Sequence, residues 1–186
     1  MRRKNMNTQL IKESISKSLL ELMYLKNFSD ISIIEIVDKA GVNRSTYYRN
    51  FASKEEIIKF YFNGIMNSYL EEFNRSAEKT LKNYLGVLFT HFYKNKSELL
   101  LIYKNGLSHL ILEALNCYFE NSTLKPNADI RRQYITYFHV GGIYNFYMLW
   151  FAHDMKEKPE ELTNIALSLF PENFRPLLIA SSQNSH

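Results

Sequence analysis

The stretch S-I-I-E-I-V-D-K-A-G-V-N-R-S-T-Y-Y-R-N-F, Ser32 to Phe51, encodes two short helices joined by a tight turn. Ser32 and Glu35 form a capping-box pair, in which each side chain satisfies a free backbone N–H of the other. Gly41 stops the first helix, because glycine accepts the left-handed backbone found just beyond a helix C-terminus. Asn43 is a good N-cap for the second helix, which runs to about Phe51. Ile33, Ile36, Val37 and Ala40 make the inner face of the first helix, and Val42, Tyr47 and Phe51 that of the second. Small Ala40 and Gly41 let the two approach closely. This is a helix-turn-helix pattern.

The residues left over on the second helix are polar. Arg44, Ser45 and Thr46 occupy its first turn, the part of a recognition helix that meets base edges. Arginine pairs with guanine in bidentate fashion, and serine or threonine bonds several bases. Tyr48, Arg49 and Asn50 follow, outside the core pattern. Lys54 opens the next helix, where its charge and the free N–H groups both suit a phosphate.

The segment G-V-N-R-S-T-Y-Y-R-N-F-A-S-K-E-E-I-I, Gly41 to Ile58, resembles the signature of the TetR/AcrR family of bacterial regulators, with Ser32, Glu35, Ile36 and Ala40 fitting the same pattern upstream. The resemblance covers the first ~60 residues, a span of helix-turn-helix size. It implies that Arg44 and Ser45 face bases, that Thr46, Tyr48 and Lys54 hold phosphates, and that Arg49 and Asn50 reach bases or backbone. Tyr47 and Phe51 fall in the core. One departure stands out: Ile33 and Ile34 occupy positions where the family often carries Thr, Arg or another polar residue. One of the two is therefore expected near DNA with no hydrogen bond to offer, leaving Ser32 as the polar contact of its helix.

Outward from this segment, the chain reads as helix almost throughout. Thr8 to about Lys26 carries a one-sided stripe at Ile11, Ile15, Leu19, Leu22 and Met23, and Asn27 and Asp30 mark a break. Ser53 with Glu56 repeats the capping-box pattern ahead of a helix from Lys54 to Arg75. Further helices are expected at Thr80–Lys94, Ser97–Asn105 and Leu107–Glu120, with a loop at Asn121–Asp129. A long helix from Ile130 to Lys156 follows, and a last one from Pro159, which suits a first helical turn, to Phe170. Pro171 and Pro176 break the chain again. The fold is all-α: a three-helix head, residues 1–54; a larger helical body, residues 55–180, entered through a connecting helix at 55–75; and a flexible polar tail, residues 181–186.

Composition sets the boundaries. Hydrophobic residues make up 46% of 186, enough for a packed core, and only 6 Gly and 4 Pro suit long helices with short turns. Up to Lys54 there are 10 Lys and Arg against 5 Asp and Glu; beyond it the numbers are 13 and 14. The positive excess thus lies in the head, which points to a polyanion partner, or else to a basic tail at Arg2, Arg3 and Lys4. A single cysteine, Cys117, excludes an internal disulfide and fits a reducing cytoplasm. Leu10 to Leu25 is interrupted by Lys12, Glu13, Lys17 and Glu21, so it reads neither as a signal peptide nor as a membrane span.

The body offers weaker signals. Phe138 to Phe151, F-H-V-G-G-I-Y-N-F-Y-M-L-W-F, is almost continuously apolar, so its helix needs cover on several sides. Together with P-E-E-L near Pro159 it resembles the C-terminal region of some Gram-positive members of the family, including relatives of the dihydroxyacetone-kinase regulator. A single head makes few contacts, and dimers read two half-sites. A homodimer through Ile130–Phe170, bound to a palindromic site in double-stranded DNA, is therefore expected. By resemblance, the body also takes a small-molecule effector. Candidate pocket residues are Tyr69, Phe89, Phe92, Tyr103, His109, Tyr137, His139, Tyr144 and Tyr147, whose aromatic weight favours an apolar or cationic ligand. The histidines lack metal-ligand spacing, no cofactor motif is present, and no phosphate loop or nucleophile elbow suggests an enzyme. The reading is a repressor that a small molecule releases from its operator.

Overall fold

The computed structural model describes residues 2–123 and 129–169, and every regular element among them is helical. The order is α1 (Arg2–Met23), a 3₁₀ turn (Phe28–Asp30), α2 (Ile33–Ala40), α3 (Arg44–Asn50), α4 (Lys54–Arg75), α5 (Leu81–Lys94), α6 (Lys96–Lys104), α7 (Ser108–Thr123), α8 (Ile130–Ala152) and α9 (Pro159–Leu169). The expected tail, residues 181–186, and the prolines at 171 and 176 lie outside the described residues.

Helices α1 to α3 form the head around Ile15, Leu19, Met23, Ile36, Val37, Tyr47 and Phe51, all buried. The caps anticipated from the sequence close its helix ends. The Ser32 hydroxyl accepts from the Glu35 N–H, and the Glu35 carboxylate accepts from the Ser32 N–H at 2.9 Å. Asn43 accepts from the Thr46 N–H at 2.8 Å. At Ser53 the capping box is shifted: its hydroxyl accepts from the Glu56 N–H, but Glu56 reaches back to the Ala52 N–H at 2.7 Å.

Helix α4 leaves the head and enters the body, where it packs on α1, α5 and α7; α5 packs on α9, and α7 on α8. Rings fill the centre. Phe92 stacks on Tyr147 with centroids 4.4 Å apart and meets Phe62 edge-on at 5.7 Å. Phe89 meets Trp150 edge-on, and the buried hydroxyls of Tyr69 and Tyr84 bond at 2.9 Å. Offset and edge-on pairs are the favoured geometries for aromatic quadrupoles, which accounts for the high Phe and Tyr content.

Three helices depart from the sequence reading by more than one residue. Helix α1 starts at Arg2 rather than Thr8 and stops at Met23, where the Leu25 and Lys26 N–H groups turn back onto the Leu22 carbonyl. Helix α7 continues past Glu120 to Thr123. Helix α8 ends at Ala152 rather than Lys156. Asp154 and Met155 adopt left-handed backbone, φ +53° and +48°, which returns the buried Met155 side chain to the core. Its N–H bonds the Trp150 carbonyl at 2.8 Å, and its own carbonyl accepts from the Lys96 ammonium at 2.9 Å. The apolar α8 sequence concealed this stop because neither residue is glycine.

Phe92→Ala removes the ring between Phe62 and Tyr147. It is expected to destabilise the chain by about 3–5 kcal/mol in urea unfolding, with helical content retained below the transition.

Candidate nucleic-acid interface

Gly41 makes the turn between α2 and α3. Its φ of +67° is the left-handed conformation, with its N–H directed at the Val37 and Asp38 carbonyls, while the Val42 N–H bonds the Val37 carbonyl at 3.0 Å. Such paired bonds satisfy the free carbonyls at a helix end. The chain then enters α3 with Tyr47 fully buried and Phe51 nearly so, while Arg44, Ser45, Tyr48 and Arg49 face outward. Thr46 and Asn50 are half-buried. Burial, with no hydrogen-bond partner among the described residues, pushes the Tyr47 phenol up to about 12, so it stays neutral.

The exposed side chains differ in what already holds them. Ser45 donates to the Asn43 side chain at 2.7 Å. Arg49 lies back along the helix, bonding the Ser45 carbonyl at 3.3 Å and the Thr46 hydroxyl at 3.0 Å. Asn50 donates to the Thr46 carbonyl at 2.7 Å. Arg44 has no hydrogen bond or ion pair within the described residues, and its guanidinium rests 6.0 Å from the centroid of the Tyr48 ring. An always-charged fork with five donors is thus presented on an aromatic platform at the first turn of α3.

Two residues expected at a DNA surface are engaged in the fold. The Lys54 ammonium, half-buried, donates to the Phe28 carbonyl at 2.8 Å and the Ile31 carbonyl at 2.7 Å, and sits 4.6 Å from the Phe28 ring centroid. Two of its three donors pin the 3₁₀ turn to the start of α4, so it is no free phosphate clamp. The Ser32 hydroxyl both accepts from the Glu35 N–H and donates to the Glu35 carboxylate at 2.8 Å, so it is occupied as a cap. Nor is the head's excess charge freely displayed: Lys26 pairs with Glu35, and Lys39 with Glu21. Of the two isoleucines, Ile33 packs on the core and Ile34 is the exposed one.

Contacts that sequence reasoning missed tie the head and the connecting helix to the rest of the body. The Phe28 N–H donates to the Asn105 side chain, 77 residues away, at 3.0 Å. Tyr61 donates to Asn95 at 3.0 Å, and Lys59 pairs with Glu113. No local pattern marks Asn105, the residue that follows α6, because its partner is 77 positions away.

The pocket residues named from sequence divide between closed core and surface. Phe89, Phe92, Tyr69 and Tyr147 pack ring against ring; Tyr103 rests against Phe151. His109 is exposed, and Tyr137 is exposed and bonded to Glu120. His139 and Tyr144 are half-buried. Phe89, Phe92, Tyr69 and Tyr147 thus serve the core of the body, as aromatic residues at helical spacing commonly do. An open cleft of about 430 Å³ lies where α5 meets α9, bordered by Glu72, Glu78, Lys82, Thr90, Glu160 and Asn164. Among the described residues no cluster of His, Cys, Asp and Glu has metal-binding geometry, and no helix is long and apolar enough to cross a membrane.

Residues 15–59 match the family model described as bacterial regulatory proteins, tetR family, and residues 79–171 match a transcriptional regulator C-terminal region. Among solved structures the chain resembles a TetR transcriptional regulator from Streptococcus agalactiae, with 20% identity and a TM-score of 0.54 over 90% of this chain and 97% of the other. It also resembles the dihydroxyacetone kinase operon activator DhaS, with 18% identity and a TM-score of 0.53 over 93% and 97%. No curated protein matches the sequence.

Lys54→Met leaves the Phe28 and Ile31 carbonyls without their donor and is expected to lower stability by about 1–3 kcal/mol in urea; Arg44→Ala should leave stability unchanged. Acid should act on the same region. Hydrogen bonds from Lys26 and Ser32 hold the Glu35 carboxyl down at about 2, against 4.5 when free. A carboxyl depressed on folding stabilises above its free value, so this contribution is full above pH 4.5 and fades as pH falls toward 2. Glu35→Gln should flatten that part of an acid-unfolding curve.

Proposed function

This chain belongs to the TetR family of bacterial transcriptional regulators, and from that premise we propose a dimeric repressor released from a palindromic operator by a small molecule. The observation that carries the reading is Arg44, unpaired and exposed in the first turn of α3 beside Ser45 and Tyr48. Arg44 and Ser45 take the base edges; Thr46, Tyr48, Arg49 and Asn50 take flanking bases and phosphates. Arg49 can swing from its helix-lying pose at the cost of two weak local bonds. Lys54 offers a phosphate its remaining donor only, and Ser32 acts through its cap.

The apolar surface of α8 and α9 supports the dimer. Ile130, Tyr134, Phe138 and Leu149 are exposed along α8, and Ile165 and Leu169 along α9. The spacing of four between Ile130, Tyr134 and Phe138 forms one helical stripe, and nothing lies within 4 Å of a Cβ built at Gly141 or Gly142, so a second helix can approach there. An apolar patch of this extent calls for cover. Release of the operator runs through α4, whose first residue pins the head and whose later residues Tyr69 and Phe73 lie in the body core. An effector acts by binding more tightly to the arrangement with the wrong head spacing.

Selection of genomic fragments with purified protein, followed by binding at several salt concentrations, tests the reading. A palindromic site should emerge. Arg44→Ala should cost about 1–3 kcal/mol and blur one base position per half-site, whereas Tyr48→Phe should weaken all sequences alike. Enrichment of no sequence would overturn the proposal. For the dimer, Phe138→Glu with Leu149→Glu should yield a folded monomer in sedimentation that binds the operator at least ten times more weakly, roughly the loss of one half-site's hold.

A further inference from the structure

We propose that Ile34 reads the 5-methyl group of a thymine in the major groove, an inference that rests on α3 being the reading helix. Single exposed apolar side chains are commonplace; what distinguishes Ile34 is its setting. It is 53% exposed in the first turn of α2, while its neighbour Ile33 turns in toward the core. Helix α2 packs on both α1 and α3. Its Glu35 bonds Lys26 just beyond α1, and its Lys39 bonds Glu21 on α1, so those two side chains mark the α1 flank. At about 100° per residue, Ile34 lies roughly 100–140° round the helix from both, on the flank nearer α3. Arg44, Ser45 and Tyr48 are exposed on α3 itself.

The Ile34 side chain has no donor for a phosphate and no partner for a polar base edge. Asp38, one turn further along the same flank, is exposed, and its carboxylate would repel a phosphate. A side-chain contact to phosphate is therefore disfavoured on this flank, and the useful side-chain contact is confined to the first turn. The one apolar group that B-DNA offers in the major groove is the thymine methyl, which aliphatic side chains read by contact. A methyl buried between Ile34 and its surroundings should strengthen binding about fourfold per half-site. Because Ile34 carries no charge, it should leave the salt dependence untouched.

The test uses the full-length dimer and the selected operator, with thymines replaced by uracil one symmetric pair at a time, which removes the methyl and nothing else. Wild type should weaken at one pair, by about fourfold per half-site, and Ile34→Ala should bind the thymine and uracil duplexes equally at that pair. Ile34→Val should retain the preference. Unchanged helical circular dichroism and an unchanged salt slope would show that the Ile34→Ala variant is intact. Equal binding of wild type to every uracil duplex would overturn the inference, as would an Ile34→Ala loss that is the same on all sequences. Should a site emerge at which Arg44 matters but no methyl does, this inference alone falls. If no sequence is enriched, it falls together with the DNA-reading premise.

Discussion

The left-handed backbone at Gly41, φ +67°, governs the angle at which α3 leaves α2, and everything the head displays follows from that angle. An L-residue with a side chain pays roughly 1–2 kcal/mol to adopt such a conformation, whereas glycine adopts it freely. Space is not the issue, since a Cβ at Gly41 would meet nothing within 4 Å; the constraint is torsional. With the turn fixed and Asn43 capping the next helix, Tyr47 and Phe51 enter the core. The alternate residues, Arg44, Ser45 and Tyr48, are then left outside. A buried tyrosine thus sets the orientation of an exposed arginine three residues earlier on the same short helix.

Second to this stands the Lys54 ammonium, which joins the Phe28 and Ile31 carbonyls to the first turn of α4. The Phe28 N–H is held from the other side by Asn105. One peptide stretch is therefore gripped by the connecting helix and by α6 of the body. The 3₁₀ turn is thereby joined to both α4 and the end of α6, and only Ile31 and Ser32 separate it from α2.

Much of the head was legible in the sequence because its determinants are local. Ser32 and Glu35, Gly41, and Asn43 each act within a few residues, so the type and spacing of side chains suffice to place α2 and α3. The core roles of Tyr47 and Phe51 follow from a spacing of four on one helix. What could not be read was long-range. Lys54 looked like a phosphate ligand until the fold brought carbonyls from 23 and 26 residues away onto its amine. The residues named for a pocket are ambiguous by sequence, because aromatic side chains serve cores and cavities alike; Phe92 and Tyr147 stack on one another in the core. The end of α8 was hidden for a third reason: two non-glycine residues take left-handed backbone there because Met155 is drawn into the core.

The claim on which the account depends is that Arg44 meets a base edge. Duplexes carrying 7-deazaguanine at one symmetric guanine pair at a time remove the N7 acceptor that a bidentate arginine needs. Binding of wild type and Arg44→Ala to this series is the most direct measurement. Wild type is expected to lose affinity at one guanine pair, and Arg44→Ala to be indifferent to the same replacement. Wild-type binding that ignores every N7, or an Arg44→Ala variant that remains as sensitive as wild type, would contradict it.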